Sequence, residues 1–156
     1  MRSKVTALMK PMPFLIAAAL LILSSLSASA QVVLSEIMYH APQSDFYEEF
    51  IELYNSSATA QVDLSGWLLG DQDELDTLTD AGHGLILPPQ TFALLLDPGY
   101  WGHSTVYDSL IPPEALIITI SDNSFGSGGL RNSPPDTVIL CNPSGDTVAS
   151  FCYSPG

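Results

Sequence analysis

Positive charge is what this sequence has least of. Four Lys and Arg residues stand against 17 Asp and Glu, a formal net charge of −13, and three of those bases, Arg2, Lys4 and Lys10, fall at the amino terminus. Beyond residue 30 the only base is Arg131. Such a surface repels phosphodiester backbones and anionic lipid, which argues against nucleic-acid and membrane-surface binding. Cysteine is nearly absent as well. Cys141 and Cys152 are too few for a disulfide scaffold and lack the clustered spacing of a structural zinc site. No sustained helical period and no heptad run occur, which removes helical bundles and coiled coils. The length of 156 residues fits one domain.

The first 30 residues read as a signal peptide. Arg2, Lys4 and Lys10 precede the apolar run Phe14 to Leu23, and a serine-rich stretch then leads to Ala28-Ser29-Ala30, the small residues that signal peptidase reads. As a helix that run spans about 15 Å, half of a bilayer core of about 30 Å, so it is too short for an anchor. Cleavage after Ala30 is expected, leaving a secreted, extracellular or periplasmic product, residues 31–156, with no membrane span.

From Gln31 onward the chain reads as short strands broken by turn residues. The runs are Val32 to Tyr39, Phe50 to Tyr54, Val62 to Leu64 with Trp67 to Leu69, Leu85 to Leu87, Phe92 to Leu96, Leu116 to Ile120, Thr137 to Cys141 and Thr147 to Tyr153. Asn142-Pro143-Ser144-Gly145-Asp146 suits a hairpin between the last two. Ser121 to Gly129 reads as a flexible, glycine-rich loop. The strand count favours an all-β, immunoglobulin-like antiparallel β-sandwich, with a closed barrel as the alternative.

The segments "SEIMYHAP", "EEFIELYN" and "VDLSGWLLGD", followed by "LILPPQTFALLLDP" and "LRNSPPDTVILCNPSGDTVASFCYS", resemble the lamin tail domain as it occurs in secreted bacterial proteins. The resemblance spans nearly all of residues 32–153 and implies an immunoglobulin-like sandwich. It implies no catalytic residues. Members of that family usually run past the point where this chain stops, so a truncated product, or a fragment of a larger one, is the accompanying expectation.

Several clusters invite chemistry. Asp71, Asp73, Glu74 and Asp76, with Asp80 beyond, are the ligand type that calcium takes, although the spacing lacks the sixth-position glycine and closing glutamate of an EF-hand. The competing reading is a solvated acidic loop. His40, His83 and His103 lie in three separate loops without a short ligand pair, which argues against zinc. Among Glu36, Glu48, Glu49 and Glu52, strand alternation puts Glu49 and Glu52 on opposite faces, so that pair cannot address one substrate. Ser127-Gly128-Gly129 lacks the context of a nucleophile elbow, and no lysine follows it to make a phosphate cradle.

Tyr100 and Trp101, after the turn Asp97-Pro98-Gly99, are the candidates for a partner-facing patch. If Cys141 pairs with Thr147 across the hairpin, Cys152 lies five residues on, roughly 17 Å away, and no disulfide forms between them. The sequence thus predicts an exported, non-enzymatic sandwich for protein or cell-surface interaction or scaffolding. No cofactor is expected and the partner is not named. The alternatives are an accessory domain of a larger exported hydrolase of nuclease or phosphatase type, and a calcium-stabilised surface module.

Overall fold

The computed structural model describes residues 32–154. The expected signal segment lies outside them. Ten strands follow in chain order: β1 (Val32–Met38), β2 (Phe50–Asn55), β3 (Val62–Asp63), β4 (Leu68–Gly70), β5 (Leu75–Asp80), β6 (Ile86–Leu87), β7 (Phe92–Leu96), β8 (Leu116–Ile120), β9 (Asp136–Cys141) and β10 (Thr147–Tyr153). Among the described residues the one helical element is a 3-10 turn at Pro98–Tyr100, started by Asp97, whose carboxylate accepts from the Gly99 amide at 2.7 Å.

Eight strands form one ladder in the order β1-β2-β7-β8-β5-β4-β9-β10, and β3 pairs separately with β6. Strand β5 turns the corner. Leu75 to Thr77 pair with β4, and Leu78 to Asp80 pair with β8. One sheet therefore carries β1, β2, β7 and β8, the other β4, β9 and β10, and they fold over a core that includes Ile51, Leu53, Leu69, Leu95, Ile118, Phe125 and Leu140. The free edges, β1 and β10, meet where the rings of Tyr39 and Tyr153 stack at 4.4 Å. The result is a sandwich curved nearly into a closed barrel.

β7 and β8 run parallel, an exception to the antiparallel expectation. A parallel pair requires a long crossover, and residues 97–115 supply it. That excursion lies over the outer face of the first sheet. There Tyr100, Tyr107, Val106 and Ile111 pack on Phe50, Leu96 and Ile117 as a second, smaller core. Burial on both faces explains the unbroken apolar runs of β7 and β8.

Two expectations are corrected. Leu75 to Asp80 is a strand, not an acidic loop: Asp76 and Leu78 turn inward while Leu75 and Thr77 turn outward. The glycine-rich loop is fastened rather than loose. Phe125 is fully buried, the Gly126 amide donates to Asp76 at 2.8 Å, the Ser127 amide to Asp71 at 3.1 Å, and the Leu130 amide to Glu49 at 2.9 Å. Gly126 holds φ +53 against Asp71, and a Cβ there would stand 2.7 Å from the carboxyl carbon. No side chain fits.

In the last hairpin Cys141 pairs with Thr147, as the sequence suggested, but a bulge after Thr147 places Cys152 opposite Thr137, four positions from Cys141 rather than five. The separation is therefore about 13 Å rather than 17 Å, which still prevents a bond. Both thiols are free, Cys141 buried and Cys152 exposed.

Glu49 is the group most perturbed by this packing. Burial raises its carboxyl from 4.5 to about 8; the Leu130 amide pulls part of the way back, and Asp97, Asp45 and Asp136 push it up further. Burial likewise lifts Asp97 from 3.8 to about 6. A carboxyl whose pKa is higher in the fold than in the unfolded chain binds more protons when native. Its favourable contribution is complete below the unfolded pKa and is lost as pH rises through the folded value. We predict that unfolding free energy falls by a few kcal/mol between about pH 4.5 and 8. Glu49→Gln, which mimics the protonated acid, flattens most of that fall. Chemical denaturation at a series of pH values measures it, and an unchanged slope in the variant overturns the assignment to Glu49.

Candidate functional site

A groove of about 640 Å³ lies between the excursion and the outer face of the first sheet. Strand alternation builds one wall. β1 turns Glu36 and Met38 outward, β2 turns out Phe50 and Glu52, and β7 turns out Phe92 and Leu94. Leu110, Ile111, Pro112, Glu114 and Tyr107 line the excursion side. Phe92 is half exposed and Leu110 is 72% exposed, so the apolar surface is open to solvent.

Glu48 holds the excursion in place. Its Oε1 accepts from the Ser104 hydroxyl at 2.8 Å, its Oε2 from the amides of Gln43 and Ser44, and its backbone carbonyl from the Tyr107 hydroxyl at 2.8 Å. Burial, then the charge of Glu48, raises the Tyr107 phenol to about 12, with smaller pushes from Tyr100 and Glu36. Tyr107 therefore remains a neutral donor across the physiological range.

A carboxylate pair stands on the sheet wall. A bulge at Ser35 sets Glu36 directly opposite Glu52 across the β1–β2 ladder, and the Ser35 hydroxyl donates to Glu52 Oε1 at 2.7 Å. Of the four glutamates weighed in the sequence, these two are the ones that the structure pairs across a ladder. Glu49, as alternation required, points the other way into the core, where it receives the Leu130 amide.

The acidic run divides by role. Asp71 is buried and spends both oxygens on backbone amides, those of Asp73 and Glu74 at 2.8 Å and that of Ser127. Asp73 is exposed and pairs with Arg131 at 2.6 Å. Glu74 and Asp76 converge with Asp122, and their oxygens lie within 4.8 Å of one another. Among the described residues this is the grouping of carboxylates, imidazoles and thiols close enough to hold a metal ion. Asp122 comes from the loop after β8 and is too far away in sequence for the run itself to reveal. Burial raises the Asp76 carboxyl, the Gly126 amide opposes this, and Glu74, Asp122 and Asp71 add to the rise. Asp80 serves a turn, accepting from Gly82 and Gly84 at 2.7 Å.

The histidines remain apart. His40 lies 3.4 Å from Asp45, and His103 stacks on Tyr47 at 4.3 Å with its Nδ1 2.9 Å from the Gly99 carbonyl. His83 lies at a smaller hollow of about 280 Å³ beside Trp101. Of the two candidate partner-facing aromatics, Trp101 is 45% exposed, whereas Tyr100 is buried, donating from its hydroxyl to Asp108 at 2.6 Å and accepting from the Tyr107 amide at 3.0 Å. Tyr100 is a strut. The sequence reading missed the groove altogether, because its walls come from residues 36–52, 90–94 and 107–115.

No curated protein matches the chain. A family model described as Lamin Tail Domain matches residues 25–155, which takes in every strand. With the all-β sandwich, the corner strand and this match together, the chain belongs to the lamin tail domain family.

Proposed function

We propose that the protein is an exported, non-catalytic interaction module that binds its partner in the groove over β1, β2 and β7. The observation that carries this reading is the groove itself, an open apolar surface with exposed Phe92 and Leu110 held by a braced excursion. Exposed apolar concavities are where soluble domains meet ligands and partners. The buried carboxylates support the same reading. Glu48, Glu49, Asp71, Asp97 and Asp136 are buried and accept backbone amides, which makes them parts of the scaffold.

Nile red reports such a surface. Its emission should rise with the native protein and fall by at least half with Leu110→Asp, a substitution at an exposed position that leaves the fold intact. Equal emission from both proteins removes the groove from consideration. Export is supported by the basic n-region, the apolar run and the Ala28-Ser29-Ala30 site. The product recovered outside the producing cell should have the mass of residues 31–156, and a product retained inside at full mass counts against export.

A second reading, a calcium-stabilised module, draws on the convergence of Glu74, Asp76 and Asp122. Three oxygens on two segments suit a hard cation, which would relieve their mutual repulsion. Millimolar calcium then raises the melting temperature by a few degrees, and Asp122→Asn abolishes that rise while slightly stabilising the calcium-free protein. Identical melts with calcium and with chelator end this reading.

A further inference from the structure

The groove has a charge pattern as well as a shape. Glu36 and Glu52 face each other on the sheet wall, and Glu114 stands on the excursion side. Like charges directly opposite on neighbouring strands oppose pairing. No cation of the described residues offsets them, because Arg131 is engaged with Asp73. The sheet thus carries an unfavourable pair beside an open apolar floor, and a cation arriving from outside would turn that repulsion into attraction.

We propose that the groove takes a short cationic segment of another polypeptide, one that seats a large apolar side chain between Phe92 and Leu110 and places lysine or arginine against Glu36 and Glu52. The inference rests on the groove being the binding site and adds the chemistry of its occupant. A volume of about 640 Å³ accommodates a few side chains, the scale of a short linear segment rather than a folded domain. The Gln90 side chain, which lines the groove, offers a polar group to a peptide backbone. A second copy of this chain is a poor occupant, since its described residues carry 17 acids and a single base. Anionic phospholipid is repelled for the same reason.

Fluorescence anisotropy tests the assignment with a dye-labelled octapeptide that alternates arginine and leucine, and with a counterpart in which glutamate replaces arginine. The arginine peptide should bind with micromolar affinity that weakens as salt rises, and the glutamate peptide should not bind. The double variant Glu36→Gln with Glu52→Gln should weaken binding about tenfold, flatten the salt dependence and raise the melting temperature, because the repulsion is gone. A control that removes two exposed acids elsewhere, Asp63→Asn with Asp146→Asn, should change affinity less than twofold. Leu110→Ser should weaken binding about tenfold without altering the salt dependence.

Equal losses from the groove pair and the control pair would reduce the effect to net charge and overturn the proposal. Binding of the glutamate peptide that responds to Leu110→Ser would overturn the cationic assignment while leaving the groove as a binding site. No probe responding to Leu110→Ser would overturn both. Self-association or vesicle binding abolished by Leu110→Ser would give the groove to a second copy or to lipid. Tighter binding of a peptide of residues 2–13 than of the arginine peptide would give it to this chain's own amino terminus. Each of these also overturns the proposal.

Discussion

The Glu49 carboxylate sits inside the sandwich with the Leu130 amide at 2.9 Å, and much of the architecture depends on bonds of this kind. A protein with many acids and almost no bases has few ion pairs available to neutralise what it buries. The alternatives are to hold the proton or to point backbone N–H groups at the carboxylate. Both occur here. Glu49 holds a proton over a wide range, while Asp71, Asp76 and Asp136 collect amides from the loops around them. Glu49 just before β2, Asp71 just after β4 and Asp76 on β5 accept the amides of Leu130, Ser127 and Gly126, so one irregular loop is fixed to both sheets.

That arrangement connects to the groove. Glu49 accepts the Asp97 amide on its carbonyl, and its neighbour Glu48 ties residues 43–44 to the start of the excursion. Glu49, just before β2, therefore anchors the loop that follows β8, and Glu48 anchors the wall of the groove. Tyr100 belongs to the same brace, with its hydroxyl held between Asp108 and the Tyr107 amide. A recognition surface on a loop needs a rigid support, and two glutamates adjacent in sequence provide it just before β2.

The regular strands were legible because their apolar residues alternate or run unbroken: Phe92 to Leu96, Leu116 to Ile120 and Thr147 to Tyr153 agree with the structure residue for residue. β5 was hidden by its own chemistry. An inward-facing aspartate, Asp76, interrupts the apolar alternation that marks a strand, and the flanking carboxylates made the segment resemble a solvated loop. The loop at residues 121–129 misled in the opposite way: its glycines suggested freedom, whereas Gly126 serves a close approach to Asp71, and Phe125 was the sign of burial. Neither the groove nor the meeting of Asp122 with Glu74 and Asp76 is a property of any local segment, so no pattern in the chain could show them. The unbroken apolar runs of β7 and β8 did carry a hint, since a strand covered on one face only needs no apolar residues on the other.

The corner strand has a consequence for how this family member can vary. Because β5 gives its first half to one sheet and its second half to the other, it works as a ratchet tooth engaged with two racks. A slip of one residue would turn Leu75 in and Asp76 out, disengage the Gly126 amide and misalign β4 and β8 together. An insertion within Leu75 to Asp80 has no compensating register, so six residues that look like a dispensable acidic loop are held from both sides.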